Sequence, residues 1–142
     1  MRAIFFSVCC AIVAATSASA APPTEPTRDS KLRAEMLDAA RPFFEAATHG
    51  SVRFVVKRLN VTEDWAFGSV EVQRPDGGAI DQPKSESNHG DAYFLLTRSI
   101  RRAGNHWTLV EATMTQTDAA LDTWKQTYHL PAELLETQVD RP

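Results

Sequence analysis

Residues 91 to 117, "DAYFLLTRSIRRAGNHWTLVEATMTQT", constrain the fold more tightly than any other stretch of the chain. Two apolar arms flank Gly104-Asn105, a strong signal for a tight turn. A connection this short joins antiparallel strands only, because a parallel crossover needs a dozen residues or more. Phe94, Leu96 and Ile100 fall on one face of the outgoing arm. On the returning arm Trp107 and Leu109 share a face, but Val110, Ala112 and Met114 continue on the other. A one-residue change of phase predicts a β-bulge near Val110-Glu111.

Upstream, "SVRFVVKRLNV" alternates Val52, Phe54 and Val56 with Arg53, Val55 and Lys57. A short turn at Thr62-Glu63-Asp64 leads into "EDWAFGSVEVQR", with Trp65, Phe67 and Ser69 on one face. Ala66, Gly68, Val70 and Val72 form the other face, and Gly68 predicts a bulge or a close backbone approach. Pro75-Asp76-Gly77-Gly78 ends this strand. Residues 77–90, "GGAIDQPKSESNHG", carry neither an aromatic nor an Arg anchor and read as slack connection.

A helix is expected from Asp29 or Ser30, its stripe being Leu32, Met36, Leu37, Ala40, Phe43 and Phe44. Pro42 predicts a kink or break near Arg41, and Gly50 the stop. After the hairpin, Asp118 can cap a last helix bearing Leu121, Trp124, Lys125 and Tyr128, and Pro131 opens one more turn, "PAELLE". The expected fold is therefore α+β: an N-terminal helix packed on a curved four-stranded antiparallel sheet, with a short C-terminal helix.

The first twenty residues read as a signal peptide: Arg2, the apolar "AIFFSVCCAIVAA", then Ala18-Ser19-Ala20 before the cleavage point. Thirteen apolar residues are short for a membrane span, so no stable span is expected after cleavage. Both cysteines, Cys9 and Cys10, lie inside this segment. The rest must hold together by its apolar core, without disulfides, as fits a bacterial periplasm or secreted space. Residues 21–28, with three prolines, are expected to be a flexible leader to a single domain, 29–142. Of 15 Lys and Arg, cleavage removes only Arg2, leaving fourteen against 18 acids. That balance disfavours nucleic acid, whose phosphates demand a basic footprint.

The order of elements, with "NHWTLVE" after an Arg-rich strand, resembles the NTF2-like and cystatin-like group. "RPFFEAA", "VRFVVKRLNV", "DWAFGSVEVQRPDGG" and "TDAALDTWKQTYHLP" resemble small exported bacterial proteins of uncharacterised function. The resemblance implies a helix on a curved sheet and allows either a binding domain or an isomerase or dehydratase. It covers most of the chain after residue 20, but rests on aromatic and turn positions that specify a fold more than a chemistry.

Candidate chemistry is sparse. His49, His89, His106 and His129 are too scattered for a zinc-type ligand pair, so neither metal nor other cofactor is expected. There is no G-x-S-x-G elbow. Asp118, with Glu111 behind it, is the candidate acid–base carboxylate, set against a plain capping role. Trp65 and Trp107 open strands beside turns and, with Arg98, are candidate ligand contacts; Trp124 reads as core. Arg98, Arg101 and Arg102 could join Arg53, Lys57 and Arg58 in a basic patch for an acidic ligand or partner. The leading expectation is a non-enzymatic binding or accessory module of the envelope, meeting a protein partner or small ligand. The alternatives are a small enzyme with Asp118 in a cavity between sheet and first helix, or an inhibitor or immunity-like protein. Pairing of two copies through the open sheet face is a further expectation.

Overall fold

The computed structural model describes residues 21–80, 91–101, 104–115 and 117–136; residues 1–20, read above as a signal peptide, residues 81–90 and Arg102 lie outside them. Helix α1 (Lys31–Thr48) starts at Ser30, whose Oγ accepts from the Arg33 backbone N–H at 3.2 Å. Its buried positions, Met36, Ala40, Phe44 and Thr48, are four apart and lie along one side. Spacing puts Phe43 in this stripe, yet it is 38% exposed and meets the Phe44 ring edge-on at 5.2 Å. One position is a rotation of about 100° around the axis, enough to carry Phe43 off the buried side.

Of the kink or break expected at Pro42, the break does not occur: α1 runs on through the proline. Buried residues on both sides of Pro42 anchor the two halves of α1 to the same core, and the proline itself faces solvent. The helix ends one residue earlier than Gly50 implies: His49 takes the left-handed conformation at φ 53°, and the Gly50 N–H donates to the Glu45 carbonyl at 3.1 Å. The Arg74 guanidinium donates to the Thr48 carbonyl at 2.8 Å, placing a cation at the negative end of the helix.

Strands β1 (Arg53–Val61), β2 (Trp65–Gln73), β3 (Asp91–Arg101) and β4 (Gly104–Thr113) form one antiparallel sheet in chain order. Leu95 pairs with Glu111 and Leu96 with Leu109, so Val110 is the bulged residue the phase change predicts. A second bulge, at Lys57, keeps Leu59 and Val61 on the same face as Phe54 and Val56. Gly68 lies opposite Phe94 and under its ring, which a Cβ at Gly68 would meet at 2.1 Å. Thr24, in the stretch expected to be a flexible leader, exchanges two backbone hydrogen bonds with Val61, at 2.9 and 2.8 Å.

Each sheet face is covered by helix. On one, Met36, Ala40 and Phe44 of α1 pack with Leu59, Val70, Phe94, Leu96 and Trp107; Ile80, from the start of the polar run, joins them. On the other, Phe67 and Leu95 pack with Trp124 of α2 (Asp118–Tyr128) and Leu134 and Leu135 of α3 (Ala132–Leu135). The expected α+β layout is thus present. No described helix is long and apolar enough to cross a membrane.

Candidate functional site

The Lys57 bulge turns Arg58 and Asn60 toward the α2–α3 side of the sheet. There Arg58 donates to the Glu136 carbonyl, and the Asn60 side-chain amide to the Leu134 carbonyl at 3.0 Å. These two bonds seat a helical turn of four residues, too short to stand alone. Between α3 and α2 runs an open groove of about 270 Å³, lined by Asp118, Leu121, Asp122, Lys125, Ala132, Leu135 and Glu136.

Asp118 enters this groove because it is not the cap. The Thr117 Oγ1 accepts from the Ala120 N–H at 3.3 Å, and Asp118 takes the first helical position. Its carboxylate is exposed there, beside the positive end of the α2 dipole. Tyr93 of β3, ring to ring with Phe67 at 5.4 Å, lies in the same electrostatic neighbourhood. Burial raises the Tyr93 pKa above its usual 10.0, Asp118 and Asp91 raise it further, and Arg58 opposes them.

Glu111, the second candidate carboxylate after Asp118, is engaged elsewhere. The Tyr128 hydroxyl donates to its Oε1 at 2.6 Å, and that hydrogen bond is the main cause raising the Tyr128 pKa. The ligand candidates divide between the two faces. Trp65 packs on Tyr128 at 5.7 Å, on the α2 side. Trp107 is buried on the α1 side, where the Arg98 guanidinium stacks over its ring at 5.1 Å. The Arg98 Nε is buried without a hydrogen-bond partner.

The suggested basic patch does not join Arg98 to β1: Lys57 pairs with Asp91, Arg53 donates to Gln73 at 2.8 Å, and Arg58 holds α3. Among the described residues no three His, Cys, Asp or Glu side chains come together to hold a metal. His49 and His129 are left-handed helix caps, His106 is exposed on β4, and His89 lies outside the described residues.

The space between α1 and the sheet is occupied by Met36, Ala40, Phe44, Phe94 and Leu96, all at 0% exposure. Asp118 lies on the other side of the sheet, in the α2–α3 layer. Chemically, the α2–α3 groove offers exposed carboxylates over an apolar floor, suited to contacting a cation. No family model, curated protein or solved structure matches this chain.

Sequence reasoning missed the groove and Tyr93, and named Arg58 for a basic patch rather than for holding α3. Tyr93 shares strand parity with Leu95 and was open to being found. Arg58 reaches this side only through the bulge, which the phase change from Val56 to Leu59 signals in the same way as the one in β4.

Proposed function

We propose that this chain is a non-enzymatic binding or accessory module of the NTF2-like or cystatin-like kind, exported to the bacterial envelope. It would act through its outer surface on another envelope protein. The observation that carries this reading is the filled interior between α1 and the sheet, where fully buried Phe44 and Phe94 take the volume a ligand would need. The groove at Asp118 is open and solvated, which favours contact over chemistry.

The test is to produce the chain with its first twenty residues in a bacterial host and to use the recovered protein as bait in envelope extract. Export and cleavage predict Ala21 at the new N-terminus. A one-to-one complex that survives size exclusion and is recovered from the reciprocal bait supports a binding module. A protein that stays in the cytoplasm, or binds nothing under any condition, would overturn it.

A further inference from the structure

We propose that the groove between α2 and α3 is the docking point for a basic side chain of a protein partner, an arginine or lysine flanked by aliphatic residues. This rests on the binding-module reading above and gives it a location and a partner chemistry.

Three features combine. The floor is apolar, formed by Leu121, Ala132 and Leu135, while Asp118, Asp122 and Glu136 stand at the rim. None of these three carboxylates forms an ion pair among the described residues. Asp118 and Asp122 are one helical turn apart, a like-charge pair that weakens an isolated helix. Among the described residues Lys125 is the one cation lining the groove, and it too forms no ion pair there. Its described lining residues, three carboxylates against Lys125, therefore carry an excess of two negative charges over an apolar bed, the complement of a basic head on an aliphatic stem.

Shape favours a side chain over an enclosed small molecule. At about 270 Å³ and open to solvent, the groove falls below the roughly 300–1,000 Å³ of pockets that enclose a ligand. It suffices for one anchoring residue, and arginine is among the commonest anchors at protein interfaces. The field of the rim extends to the sheet, since Asp118 is one of the charges that hold the Tyr93 proton in place.

The test titrates isotope-labelled protein with acetyl-Leu-Arg-Leu-amide and, in parallel, acetyl-Leu-Glu-Leu-amide, following backbone amide shifts. Saturable shifts confined to α2 and α3 with the arginine peptide, and none with the glutamate peptide, are expected. The affinity should fall by about threefold to tenfold in an Asp118→Asn, Asp122→Asn double variant, and also in raised salt. Both positions are exposed, and circular dichroism checks that the variant is folded. Equal response to both peptides, indifference to the double variant, or shifts centred on Arg98 and Trp107 would each overturn the proposal. Should an envelope complex form that the double variant leaves intact, the groove assignment falls while the binding-module reading stands.

Discussion

Gly68 and His129 show how much can depend on a single residue. With no side chain at Gly68, the far end of the Phe94 ring sits against β2 in the core beneath α1. A methyl there would overlap the ring, so Gly68→Ala must displace Phe94 and, with it, Phe44, whose ring is 6.5 Å away. A loss of about 1–3 kcal/mol is expected, from the cost of overpacking a filled interior; urea denaturation measures it. His129 is the opposite case. It closes α2 at φ 51°, where its own Cβ is strained, and its side chain is exposed. His129→Gly should raise stability by about 1 kcal/mol, because glycine adopts the left-handed region freely. A fall in the urea midpoint would show that the imidazole contributes something the backbone does not reveal.

Among the elements, α2 is tied to the sheet by a polar contact, from Tyr128 in its last turn to Glu111 of β4. The chain has two tyrosines, Tyr93 and Tyr128, and both hold their protons above the usual 10.0. Above pH 10 the native state therefore binds more protons than the unfolded chain. The stabilisation is complete below that pH and is lost as pH rises through the higher native values. Alkaline unfolding should accompany tyrosinate absorbance, and Tyr128→Phe should remove the share due to α2. An unchanged alkaline transition in that variant would place the whole effect on Tyr93.

The same elements show what could be read in advance. Strand number, the hairpin and the Val110 bulge follow from alternation, turn residues and a change of phase, all local properties. Helix α1 passing through Pro42 does not, because packing on both sides of the proline decides it. Nor does the groove: it exists only because Arg58 and Asn60 hold a four-residue turn more than seventy positions away. Asp118 was legible as a candidate, but its freedom from capping depended on Thr117 accepting the bond instead.

At the scale of the whole molecule, two cores share the central strands. Phe67 and Leu95 serve one, while Ala66, Val70, Phe94 and Leu96, on the same two strands, serve the other. Neither core can loosen without freeing backbone that the other needs. Leu134→Ala is expected to cost about 2–5 kcal/mol, the range for emptying a buried leucine site. It should shift tryptophan fluorescence and far-ultraviolet dichroism together, since Trp65 and Trp124 lie on the damaged side and Trp107 on the other. Separate transitions would mean that the layers melt independently.

The nearest-neighbour order of the strands also determines how the chain can be rebuilt. The β1–β2 and β3–β4 pairs are each closed by a short turn, so each can form early and fast, as hairpins do within microseconds. Joining them requires only that the segment between Gln73 and Asp91 close on itself. Closure entropy grows slowly with length, by about 0.6 kcal/mol for each doubling. Past Arg74 and Ile80, which are engaged with α1 and its core, the polar residues 81–90 are accordingly the place to splice in a tag, a sensor or a second domain.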